Sequence, residues 1–248
     1  MAVDIDELLN RSYAYTHDAL WEQWERWAFL FICVLINTFT LGLIPLFSGY
    51  RYRIYEGRIE PPGVDGWARL FIDGWKLNII WIVYFLIPLI IVGLIIGSTL
   101  FAVASPIFTI PTGAGDPEVI IQRTLVAAGL VLIALIPILI FLFFVLVLLH
   151  TIAKVRAART GILMDAFSLR AILSHIKEIG WGNYIILILI LWIVSIILGL
   201  FVGAFTWIPA IGWLIALLIA PAIEIFKARY VSLVYDRGLE HEAPVEAG

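Results

Sequence analysis

The run LVAAGLVLIALIPILIFLFFVLVLL, residues 125–149, holds 25 residues without one charged side chain. A helix rises 1.5 Å per residue, so about 20 such residues cross the roughly 30 Å hydrocarbon core of a bilayer. A soluble helix keeps a polar stripe for water, and this run has none. It reads as a membrane-spanning helix. Working outward, comparable runs fall at residues 27–47, 77–101, 183–205 and 209–226. The whole chain agrees: of its 248 residues 62% are hydrophobic and 14% charged, and mean hydropathy is +1.03, whereas a soluble domain carries about 25% charged residues. The expected fold is all-α, a polytopic transmembrane helical bundle of five spans.

Lysine and arginine are retained in cytoplasmic loops, which orients the spans. Arg51, Arg53, Arg58, Arg69 and Lys76 lie between the first and second spans, and Lys154, Arg156, Arg159, Arg170 and Lys177 between the third and fourth. Lys227, Arg229 and Arg237 follow the fifth, while the opposite side holds only Arg123. The beginning of the chain is acidic, with Asp4, Asp6, Glu7, Asp18, Glu22 and Glu25 against Arg11 and Arg26. The expected protein is therefore a multi-pass component of the cell membrane with its N-terminus outside and its C-terminus cytoplasmic. Residues 1–26 form an acidic extracytoplasmic segment, 27–230 the transmembrane domain and 231–248 a cytoplasmic tail. For the first run a second reading stays open, in which Asn37, Gly42 and Pro45 break it into a re-entrant hairpin with both ends in the cytoplasm. The acidic opening lacks a basic n-region, so a removable signal peptide is not expected.

Two loops have helical periodicity of their own. In one, Trp67, Leu70, Phe71, Gly74, Trp75 and Asn78 share a face behind a capping Asp65; in the other, Ile162, Ala166, Leu169, Leu173 and Ile176 do, with His175 opposite. Both read as cytoplasmic amphipathic helices lying in the interface. Sliding the chain on itself by 106 positions puts Gly74 and Trp75 on Gly180 and Trp181, and Gly93 and Gly97 on Gly199 and Gly203. This suggests a parallel internal duplication. The last four glycines also make two GxxxG spacings, expected to serve helix packing where no hydrophobic force drives association.

Signatures of chemistry are sparse. The four histidines are scattered and the chain lacks the H-E-x-x-H, G-x-S-x-G, P-loop and dinucleotide patterns, so no catalytic, cofactor-binding or metal-binding residue is expected and the protein reads as non-enzymatic. The single cysteine, Cys33, excludes an intrachain disulfide. A net charge of -3 gives no reason to expect nucleic acid. Expected partners are membrane lipids and either a second copy or another membrane protein. Asn37, Thr38, Pro88 and Pro137 are the candidates for lining a cavity, because polar groups and helix bends within spans are the places where a membrane protein departs from plain packing. Trp21, Trp24 and Trp27 on one side, with Trp67, Trp75 and Trp181 on the other, read as interfacial belts.

The segment G-Y-R-Y-R-I-Y (49–55) followed by P-P-G-V-D-G-W-A-R-L-F-I-D-G-W-K (61–76) resembles a family of archaeal and bacterial polytopic membrane proteins classed only as a domain of unknown function, number 4013. Gly49, Tyr50, Arg53, Pro62, Trp67, Leu70, Phe71, Asp73, Gly74 and Lys76 carry the resemblance. A second match, A-A-R-T-G-I-L-M-D-A-F (157–167), has Arg159-Thr160 where the family has Arg-Tyr. The resemblance implies an all-helical integral membrane protein of a prokaryotic cell and supplies no activity or catalytic residue. The expected role is that of a scaffold or accessory component of the membrane. The alternative is a transporter or binder of lipids or small apolar molecules.

Overall fold

The computed structural model describes residues 5–108, 116–209 and 211–240. These form nine α-helices: α1 (Ile5–Leu20), α2 (Trp24–Phe39), α3 (Leu46–Tyr55), α4 (Trp67–Trp81), α5 (Ile87–Phe108), α6 (Pro117–Thr160), α7 (Leu169–Ile179), α8 (Trp181–Phe205) and α9 (Gly212–Glu240). A π-helical turn, Ile82–Leu86, joins α4 to α5, and a 3-10 turn, Leu163–Phe167, precedes α7. There is no strand among the described residues.

Three helical stretches are long and apolar enough to cross a membrane: Trp67–Ser105, Glu118–Thr160 and Trp181–Phe205. They contain the second, third and fourth expected spans. The first expected span is cut in two. α2 stops at Phe39 after 16 residues, about 24 Å of helix, Leu41 and Gly42 take left-handed backbone at φ 52° and 79°, and α3 starts at Leu46 directly after Pro45. Proline lacks the N–H that a continuing helix needs and disfavours helical backbone in the residue before it. The fifth expected span lies in α9, where Glu224, Lys227 and Arg229 arrive before a full apolar window accumulates.

The chain divides into two compact units, Met1–Ile80 with Leu148–Gly248, and Trp81–Val147. In the first, α9 packs against α1, α2, α3, α7 and α8. α3 is buried along nearly its whole length. It can approach α4 closely because both carry glycine at the contact: a Cβ on Gly49 would collide with the Leu70 carbonyl, and one on Gly74 with the Pro45 carbonyl. Four tyrosines are among the largest fully buried side chains. Three of them donate to main-chain carbonyls, Tyr52 to Ala157 at 2.9 Å, Tyr184 to Leu148 at 2.6 Å and Tyr230 to Leu187 at 3.1 Å. Each ring thus contributes burial of about 2 kcal/mol without leaving its hydroxyl orphaned.

The second unit is α5 with the apolar stretch of α6, and its outer faces are bare hydrocarbon: Leu89, Leu94, Leu125, Leu130 and Phe141 are all exposed. Pro88 cannot donate to the Tyr84 carbonyl and its ring crowds that oxygen; the π-helical turn widens the helix at this point and relieves the conflict. Pro137 is accommodated inside α6 without a break.

Glu7 accepts from Arg237 at 2.6 Å, and the Arg229 guanidinium lies 4.6 Å from the Tyr15 ring centroid, so α1 packs on the end of α9. Two expectations are corrected. The amphipathic faces differ from the expected stripes. In α7 the buried residues are Ile172, His175, Ile176 and Ile179, with Leu169 and Leu173 exposed; in α4 they are Leu70, Asp73, Gly74, Leu77 and Ile80. Finally, the duplication does not extend to matching joints, since Gly74 is helical in mid-α4 while Gly180, at φ 88°, separates α7 from α8.

Candidate functional site

Two places in the molecule are built for contact. In the second unit, α5 and α6 diverge to leave an apolar groove of about 630 Å³, with Phe85, Pro88 and Gly93 on one wall and Leu139 and Phe143 on the other. Pro88 follows the π-helical turn here, and Gly93 contributes the space that a side chain would take. A Cβ at Gly93, Gly97, Gly199 or Gly203 would meet nothing within 4 Å. Each of these glycines therefore has open space beside it. Pro88 lines the groove and Pro137 does not, while Asn37 and Thr38 belong to α2 in the other unit. The Asn37 side-chain oxygen is buried without a hydrogen-bond partner.

In the first unit, the arginines of α3 and its neighbours form a lattice of internal pairs. Arg51 donates to Glu224 at 2.7 Å, and Lys227 reaches the other oxygen of the same carboxylate at 2.5 Å. Arg159 joins Asp236 at 2.6 Å and Ser232 at 3.0 Å. Arg229 donates to the Arg58 carbonyl at 2.8 Å. Lys76 pairs with the buried Asp73 at 2.8 Å and stands 4.7 Å over the Tyr52 ring. Burial shapes the proton affinities of these groups: it pushes Tyr15 up to about 12 and Tyr50 up further, despite nearby arginines that pull both down. It lowers Arg229, against the opposing influence of Tyr15 and Asp236. His175 stacks on Tyr235 with ring centroids 3.9 Å apart, and its Nε2 lies 2.9 Å from the Tyr235 carbonyl. Among the described residues no group of three or more His, Cys, Asp or Glu is placed to hold a metal ion.

Sequence reading used these arginines only to count charge. The signal it passed over is the composition of 49–55, where tyrosine and arginine alternate in a short helix with no apolar stripe. Such a helix is stable only if buried with every polar group paired.

A family model described as "Protein of unknown function (DUF4013)" matches residues 29–207, well over half of the chain. The chain belongs to the DUF4013 family. The DUF4013 region opens within α2 and closes just past α8. It includes Arg51, Tyr52, Arg53 and Arg159, while Glu224, Ser232 and Asp236, which pair with two of them, lie beyond it in α9. No curated protein and no solved structure matches the chain.

Proposed function

We propose that this DUF4013 protein is a non-enzymatic scaffold or accessory component of a prokaryotic cell membrane, with its polar unit on the cytoplasmic face. The carrying observation is that charged side chains of the motif and its neighbours pair with one another or bond main-chain carbonyls inside the first unit. They hold helices together and present no open constellation for general acid–base or nucleophilic chemistry.

This reading of the topology rests on connectivity. α5 leads out of the first unit and α6 leads back into it. α8 and α9, both within the first unit, are read as a second hairpin, because Tyr230 of α9 bonds Leu187 of α8 and Arg237 meets Glu7. The reading has four crossings, three in the membrane-length helices and the fourth in α9, with α2 re-entrant and with α1 and the end of α9 on the side that carries the basic loops, the cytoplasmic one. α4 and α7 lie at the interface, with exposed Trp67, Phe71, Leu169 and Leu173 toward the headgroup region.

Reconstitution tests the reading. Liposomes containing the protein should move lipid or small apolar solutes no faster than empty ones. A rate above background that is lost in Gly93→Phe, which fills the α5–α6 groove, would replace the scaffold with a carrier.

A further inference from the structure

Where the loop after α3 turns into α4, a pocket of about 200 Å³ is lined by Arg53, Arg58 and Arg69, by Asp65, and by Pro62, Gly63 and Gly66. Three guanidinium groups around so small a space repel one another unless something negative joins them. Arg53 is the telling one. It is buried, and it donates to the Gly63 carbonyl at 2.9 Å and the Gly66 carbonyl at 3.5 Å, with no carboxylate within ion-pair distance among the described residues. A buried cation satisfied only by carbonyl dipoles keeps its net charge and projects it into the cavity.

The neighbouring carboxylates do not cancel this charge. Glu56 is shared between Arg58 at 3.0 Å and Arg69 at 3.8 Å. Asp73 is shared between Lys76 at 2.8 Å and Arg69 at 3.6 Å. Asp65 lines the pocket with its carboxylate turned against Gly63, where an added Cβ would collide with it. The pocket's own lining holds three arginines, Arg53, Arg58 and Arg69, against one carboxylate, Asp65, and so carries net positive charge. The first turn of α4 adds to it: the N–H groups of Trp67, Ala68 and Arg69 find no acceptor among the described residues, and Gly66 and Arg69 of that turn line the cavity.

We propose that this pocket binds a phosphate group, held by Arg53 and Arg69 with Arg58 at its side. Planar guanidinium groups match phosphate oxygens in pairs of hydrogen bonds, and arginine sheds its hydration more readily than lysine, so the residue type suits the ligand. The phosphate arrives either as the headgroup of an anionic lipid, which exposed Trp67 at the interface would favour, or as a free anion. The assignment does not depend on the scaffold reading, since a carrier could hold the same group.

The test uses the full chain in detergent. Inorganic phosphate is titrated against chloride at equal ionic strength and followed by calorimetry, and retention of phosphatidylglycerol against phosphatidylcholine is read by native mass spectrometry. Saturable binding in either arm is the expected result, and which arm shows it identifies the source. Arg69→Gln, mostly exposed, should weaken binding about tenfold while leaving the helical content unchanged. Arg53→Gln should abolish binding, and Asp65→Asn should tighten it severalfold. Absence of saturable binding in both arms, or equal binding by the wild type and a folded Arg58→Gln/Arg69→Gln variant, overturns the proposal.

Discussion

In α3, Gly49 lies against the Leu70 carbonyl so closely that no side chain fits; in α5, Gly93 faces open space. The same residue type in helices of the same chain serves a dense, polar-lined unit in one case and a lipid-facing hairpin in the other. In the first unit close helix approaches and buried charges such as Asp73 and Arg229 meet protein partners. In the second, large apolar side chains stay exposed in the chain and glycine is under no steric demand, as suits helices of membrane length.

The largest expected effect breaks or confirms this comparison directly. Gly49→Ala forces the α3 and α4 backbones apart and should cost about 3 kcal/mol or more of stability in detergent-denaturation experiments. Gly93→Ala and Gly199→Ala should instead be stabilising by up to about 1 kcal/mol, the gain in helix propensity. Equal effects at Gly49 and Gly93 would mean that the two units are not packed differently.

Polar groups sharpen the contrast. Glu224→Gln strips Arg51 and Lys227 of their shared carboxylate and should cost about 2 kcal/mol in the same experiment. Asn37→Leu should be stabilising by about 1 kcal/mol, because it removes a buried oxygen that no donor satisfies.

The smallest expected effect is one of pH. Hydrogen bonds from Arg237, then Arg11, hold the Glu7 carboxyl below its ordinary value of 4.5. A depressed folded-state value means that the α1–α9 contact has its full stabilisation above about pH 4.5 and loses it as the pH falls through the lowered value. Hydrogen exchange in α1 should therefore speed up on acidification relative to α9, and Arg237→Gln should remove the difference.

How much of this was legible from residues alone follows the same division. The runs at 77–101, 125–149 and 183–205 were readable because lipid imposes one simple rule, an unbroken apolar length, and all three fall within the membrane-length helices. The run at 27–47 satisfied that rule and still is not one helix. Leu41, Gly42 and Pro45 form a local turn whose cost is met by packing that composition does not display. The charged groups of α3 were misjudged for a related reason. Arg51 and Arg53 count toward cytoplasmic placement whether they face water or Glu224, and only long-range contacts 173 residues apart tell the two cases apart. The candidate phosphate pocket was out of reach of sequence reading because Arg53, Arg58 and Arg69 share no helical face; the turn through Gly63 and Gly66 brings them together.

Both chain ends on the cytoplasmic side is the central claim, and cysteine accessibility measures it most directly. With Cys33 changed to Ser, single cysteines at Asp18, Asp116 and Leu239 are exposed in intact cells to a membrane-impermeant maleimide. The expected result is labelling at Asp116→Cys alone, with Asp18→Cys and Leu239→Cys reacting only after permeabilisation. Labelling of Asp18→Cys from outside while Leu239→Cys stays protected would contradict the re-entrant first run and the contact between Glu7 and Arg237.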